Sequence, residues 1–189
     1  MKNITLVLLF FLAATFSISA QSLQSINLTD AVTDKTINMQ AQVKGKGLVI
    51  VFHSLACPFA KMYESRLIAL RSKYQSQGFT FLLVNPEVSA SDDDKTALRS
   101  YIDQSDMNMP YLIDENQTLT KFYKITKIPE VIVLAPDGNV SYRGALDNNP
   151  QAQSAVSSFY LDRALDSILK GEAPSPGQAR AVGCNVRTY

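Results

Sequence analysis

Two cysteines, Cys57 and Cys184, carry most of the chemical capacity of this chain. Cys57 follows the apolar run Gly47-Leu48-Val49-Ile50-Val51-Phe52-His53 and directly precedes Pro58. Proline suits the first position of a helix, so this spacing predicts that Cys57 sits where a buried strand hands over to a helix. The free N–H groups and partial positive charge of a helix start stabilise a thiolate and make it reactive at neutral pH. Lys61, one turn along, is a candidate for tuning that thiol; the plainer reading of Lys61 is a solvated lysine, and of Cys57 a small inert core residue. His53, the only histidine, stands four residues before Cys57. With Cys57 and Cys184 it makes a candidate soft-metal set, to which Met107 and Met109 would add thioethers suited to Cu(I). Against that, a strand residue need not point toward Cys57 at all. Arg143, just before Gly144, is either an anion contact near the site or an ordinary strand arginine.

The surrounding pattern says what must hold these residues. Residues 47–53 and 79–84 are continuous β-branched and aromatic runs, the signature of strands buried on both faces. Residues 58–77 have helical spacing, with Met62, Leu67, Leu70 and Tyr74 on one face and Gly78 as the stop. Residues 91–104 open with Asp92-Asp93-Asp94, which suits a helix N-terminus. Residues 118–123 read as a short helix. Residues 130–134 and 140–144 read as strands joined by the turn Pro136-Asp137-Gly138-Asn139. A long helix is predicted over 151–170, ended by Gly171, and a Pro/Gly-rich loop over 172–189. Short alternations at 26–28 and 37–39 predict an N-terminal β-hairpin. Strands alternating with helices, then a closing hairpin, give the α/β class: a mixed central sheet with helices on both faces.

The first 20 residues, MKNITLVLLFFLAATFSISA, join a basic Lys2 to a short apolar run and a small-residue end. That is the pattern of a secretory signal peptide cleaved before Gln21, too short for a membrane span. No stable membrane anchor is expected after cleavage. An exported chain lives where disulfides persist. Eighteen basic against 17 acidic residues give no broad footprint for nucleic acid. Two cysteines are too few for a disulfide scaffold or a four-cysteine zinc site, and a single histidine leaves no identifiable Ser-His-Asp set.

The segment Phe52-His53-Ser54-Leu55-Ala56-Cys57-Pro58-Phe59-Ala60-Lys61 resembles the active-site turn of the thioredoxin-like superfamily. It is most similar to the redoxin group, which includes alkyl hydroperoxide reductase and thiol-specific antioxidant proteins. Further matching stretches are Pro110-Tyr111-Leu112-Ile113-Asp114, Ile128-Pro129-Glu130, Asp137-Gly138 and Tyr142-Arg143-Gly144. The resemblance implies a thioredoxin-like domain over 21–171, with 172–189 as a tail. It implies that Cys57 is the attacking cysteine, that Pro129 is a cis-proline facing it, and that Ile128 offers backbone groups to an extended substrate. The implied activity is thiol-dependent oxidoreduction in the periplasm or outside the cell, on protein thiols and disulfides or small peroxides. No cofactor is implied, and the electron donor is left unidentified. The chain also departs from the pattern. Ala60 stands where thioredoxins have their second cysteine, Ala56 where they have tryptophan, and Val51 where they bury an acid. Ile50 and Ser54 replace the proline and threonine of typical peroxiredoxins, which leans against fast peroxide reduction. Exported redoxins with one active-site cysteine and such a tail suggest Cys184 as the resolving partner of Cys57. A permanent disulfide staple and two unpaired thiols remain open, as do a peroxiredoxin-like thiol peroxidase, a non-catalytic binding module and a copper-handling protein.

Overall fold

The computed structural model describes residues 22–187; the expected signal peptide, residues 1–20, lies outside the described residues. In chain order the strands are β1 (Asn27–Asp30), β2 (Thr36–Asn38), β3 (Gly47–Phe52), β4 (Phe79–Asn85), β5 (Tyr111–Ile113), β6 (Lys127–Ile128), β7 (Glu130–Leu134), β8 (Val140–Gly144), β9 (Gln178–Ala179) and β10 (Cys184–Asn185). The helices are α1 (Pro58–Met62), α2 (Glu64–Gln75), α3 (Asp92–Gln104), α4 (Thr118–Phe122) and α5 (Tyr160–Leu169).

β3 is buried at every position because both its faces are covered. Alternate side chains of a strand point to opposite faces. Val49 and Val51 therefore enter one apolar cluster, with Leu67 of α2, Leu98 of α3 and Leu161 of α5. Leu48, Ile50 and Phe52 enter the other, with Leu119 of α4 and Leu23, Ile26 and Met39 of the N-terminal segment. β4 runs parallel to β3, β5 runs parallel to β4, and β7 lies antiparallel on the other side of β3. The full order is β2-β1-β5-β4-β3-β7-β8-β9, and β6 pairs separately with β10. This is the expected mixed α/β sheet, with the N-terminal hairpin joined to it through β1 and β5.

Four local expectations are corrected. The single helix over 58–77 is two, broken at Tyr63, which takes φ −93° and ψ −7°. The break turns Tyr63 inward and leaves Met62 46% exposed, so Met62 is not on the buried face with Leu67 and Tyr74. The cause is tertiary: the Tyr63 hydroxyl donates to Asp147 Oδ1 at 3.2 Å, and buried Arg66 donates to Asp147 Oδ2 at 2.6 Å. The helix over 151–170 begins only at Tyr160. Asn149 Oδ1 accepts from the amides of Gln151 and Ala152, and Asn148 Oδ1 from those of Ser157 and Ser158. These side chains offer the backbone turns in place of a helix. Tyr111–Ile113 is a strand that the element reading lacked, three residues long and paired to β4 and β1. Finally, the tail is not a plain loop but contributes β9 and β10.

Candidate active site

Cys57 caps the start of α1 with Pro58 as the first helical residue. Its amide donates to the Ser54 carbonyl at 3.2 Å, and its own carbonyl accepts from Ala60 at 3.1 Å. The Ser54 hydroxyl braces this turn: it accepts from the Ala56 amide at 3.2 Å and donates to Glu87 Oε2 at 2.6 Å. Cys57 is 2% exposed. Its sulfur is bonded to Cys184 across a sequence separation of 127, with a Cα–Cα distance of 5.9 Å. The facing wall is the cis Ile128–Pro129 peptide. Cys57 Sγ lies 3.2 Å from the Ile128 carbonyl oxygen. With the disulfide formed the sulfur has no proton to donate, so this is a contact; the reduced thiol could donate there.

The tail reaches Cys57 as an extended strap. β10 runs antiparallel to β6, with Cys184 opposite Ile128 and Asn185 opposite Lys127. The Val186 amide continues the ladder by donating to the Thr126 carbonyl at 3.1 Å. Lys127 Nζ donates to Asn185 Oδ1 and Gln117 Nε2 to the Arg187 carbonyl, both at 2.6 Å. Arg187 closes the strap: its amide donates to Glu87 Oε1 at 3.1 Å and its guanidinium lies 3.2 Å from Oε2. Burial works to raise the Glu87 carboxyl, but the bonds from Arg187 and Ser54 outweigh it and hold it below the ordinary carboxylate range. Glu87 thus ties the cysteine turn to the strap. Gly183 is required by close approach, since a Cβ there would overlap the Ile128 carbonyl.

Residues 18–143 match the AhpC/TSA family. The chain belongs to that family. The matched region holds Cys57, Pro129 and the sheet through β8 but stops short of the strap and Cys184. Among curated relatives, the thiol-disulfide oxidoreductase ResA of Oceanobacillus iheyensis is 23% identical over 130 residues, covering 68% of this chain and 65% of that protein. The chain thus spans about 65% of that relative's length. An uncharacterized conserved protein from Geobacillus kaustophilus has a similar structure, with a TM-score of 0.79, 24% identity and coverage of 88% of this chain and 90% of its own. A secreted Mycobacterium tuberculosis disulfide oxidoreductase homologous to E. coli DsbE gives a TM-score of 0.56 at 17% identity, covering 79% of this chain and 96% of its own. At these identities the structural likenesses establish the thioredoxin-like fold.

At this candidate site Cys57, Cys184, Ile128 and Pro129 are brought together. Lys61 is exposed on α1. Arg143 is engaged by Glu130 across the β7–β8 ladder at 2.5 Å. The soft-metal set is not assembled. Both thiolates are consumed in the disulfide, Met107 and Met109 are packed in the core, and His53 is held elsewhere. Among the described residues no three His, Cys, Asp or Glu side chains are placed to hold a metal ion.

His53 faces the core from the end of β3. Its Nδ1 lies 2.6 Å from the Tyr111 hydroxyl and its Nε2 3.4 Å from the Tyr101 hydroxyl. Tyr101 donates to Glu64 Oε1 at 2.9 Å, and Asn85 Nδ2 donates to the Tyr111 hydroxyl at 3.3 Å. One neutral tautomer satisfies this network: Tyr111 donates to Nδ1, and Nε2 donates to Tyr101. Burial lowers the His53 pKa to about 4. The unfolded chain therefore binds a proton at pH 4–6.5 that the folded chain refuses, so stability falls as pH drops through that window. We expect a loss of about 2–3 kcal/mol by about pH 4.5 from this group. Urea midpoints for wild type and His53→Asn, compared at pH 7 and 4.5, check it; an equal drop in both would remove His53 as the cause.

Glu87, Gln117 and Arg187 were not foreseen from the sequence. Glu87 did have a signal, lying two residues past the carboxyl end of β4, where ligand sites of parallel sheets gather. The roles of Gln117 and Arg187 depend on where the tail lies and had none.

Proposed function

We infer that this chain is an exported thiol-disulfide oxidoreductase in which Cys57 attacks and Cys184 resolves. In this reading residues 1–20 direct export, 21–171 form the catalytic domain, and 172–189 deliver the second thiol. The observation that carries it is the Cys57–Cys184 bond at the helix start, lying against the cis Ile128–Pro129 wall. The Cys57 thiolate attacks a protein disulfide, forming a Cys57–substrate bond and releasing one substrate thiol. Cys184 then attacks the Cys57 sulfur and releases the second thiol, which leaves the Cys57–Cys184 disulfide. A dithiol donor, oxidised in turn, returns the pair to its reduced state. Ile128 and Pro129 face the substrate. The similarity to a secreted disulfide oxidoreductase supports export.

AhpC/TSA membership favours a second reading, peroxide reduction. Cys57 would take one peroxide oxygen as a sulfenic acid while the alcohol leaves, and Cys184 would condense with it and release water. Insulin-disulfide reduction and peroxide consumption, run side by side with Cys57→Ser, separate the two. We expect the insulin activity to dominate and to vanish in Cys57→Ser. Wild-type rates in both assays no higher than background and equal to those of Cys57→Ser would leave a non-catalytic binding module. A Cys57–Cys184 potential below about −300 mV would mark a permanent staple instead of a cycling pair.

A further inference from the structure

The geometry points to the strap as a bound copy of the substrate: residues 183–187 occupy, as an extended peptide, the strip where an external substrate lies, and their sequence reports its preferred chemistry. This deepens the thiol-disulfide reading above and rests on it. The strap is joined to Cys57 by the bond that attack on a substrate disulfide would create. Its main chain adds antiparallel to β6, so backbone groups on both sides are used, as when a peptide extends a sheet edge. An incoming peptide and the strap compete for one strip and cannot occupy it together.

Each position on the strap meets a distinct demand. The residue before the cysteine must be glycine, because any Cβ there meets the Ile128 carbonyl. The residue after it is polar, with Lys127 Nζ 2.6 Å from the Asn185 side-chain oxygen. The next is aliphatic: Val186 packs on the small cluster of Cys57, Ala60 and Ile128. The last is basic, because the Arg187 guanidinium meets the Glu87 carboxylate, which is itself 4% exposed and braced by Ser54. The substrate class is therefore an extended, unfolded or terminal protein segment reading glycine, cysteine, polar, aliphatic, basic. Glu87 is its charge-selecting residue.

The test uses the full chain carrying Gly183→Val and Cys184→Ser, which removes the resolving thiol and pushes the strap off β6. The probes are blocked heptapeptides spanning residues 181–187, Ala-Val-Gly-Cys-Asn-Val-Arg, each with its cysteine as a mixed disulfide with thionitrobenzoate. The Cys57 thiolate attacks the peptide sulfur, the Cys57–peptide bond forms, and thionitrobenzoate leaves with the electron pair and is read by absorbance. We expect the parent peptide to react about tenfold faster than versions with alanine for the glycine or glutamate for the arginine. Adding Glu87→Gln should erase the arginine preference while the glycine preference stays. Equal rates for all three peptides, with Cys57 still reacting with the free aryl disulfide, would overturn the substrate assignment and leave the redox reading intact. A Cys57 inert to both peptide and aryl disulfide would overturn both.

Discussion

Cys184→Ser is expected to lower the unfolding free energy of the oxidised protein by about 4–5 kcal/mol and to leave Cys57 accumulating in mixed disulfides. The first effect follows from the sequence separation of 127 that the bond closes. Cross-linking residues so far apart removes that much loop-closure entropy from the unfolded chain. The second follows from removing the only other thiol, so that a Cys57–substrate bond has no internal route to release. Urea unfolding of wild type with and without reductant, beside the variant, reads the first effect. Reduced wild type should unfold with the variant and oxidised wild type well above both. Coincidence of all three curves would mean that the strap does not constrain the chain. Non-reducing electrophoresis reads the second effect, as adducts present in Cys184→Ser and absent from the double variant with Cys57→Ser.

Arg66→Ala should cost about 3–5 kcal/mol, because it strands a buried carboxylate. Arg66 and Asp147 are 7% and 4% exposed as side chains and 2.6 Å apart. The guanidinium also donates to the carbonyls of Met62, Asn149 and Pro150, so one side chain joins both sides of the α1–α2 break to the loop after β8. For a domain of this size that loss corresponds to about 10 °C in melting temperature. Arg66→Lys keeps the charge but not the planar fork, so an intermediate loss is expected. Replacing the pair together, as Arg66→Met with Asp147→Leu, should recover much of the cost, since no charge is then left without its partner. A single Arg66→Ala variant melting within 2 °C of wild type, about 1 kcal/mol or less, would show that the pair adds little.

The core of this design was legible because it obeys local rules. β3 and β4 are runs that can only be buried strands, Pro58 marks a helix start, and the turn at 136–139 marks a hairpin. Together they place Cys57 at a strand–helix junction with no further information. What escaped reading was set by distant partners. The helix breaks at Tyr63 because Asp147, far along the chain, holds both Tyr63 and Arg66. The final helix is late because two asparagines capture its first turns. The strap is ordered because Gly183 allows an approach to Ile128 that only the folded domain defines. His53 looked like a ligand by composition, yet its two nitrogens are spent on tyrosines brought in by β5 and α3.

The ordered tail also determines how the sheet ends. β8 is five residues long, but its Arg143–Gly144 end is covered by β9, itself only two residues long and lying parallel to it. Short outer strands are poor templates for pairing with another molecule, whereas a bare five-residue strand is a good one. β9 and Cys184 lie on the same tail, so the disulfide also tethers the segment that covers that border. In the proposed redox cycle the oxidised form, with its tail tied down at Cys184, is therefore the one expected to resist self-association best.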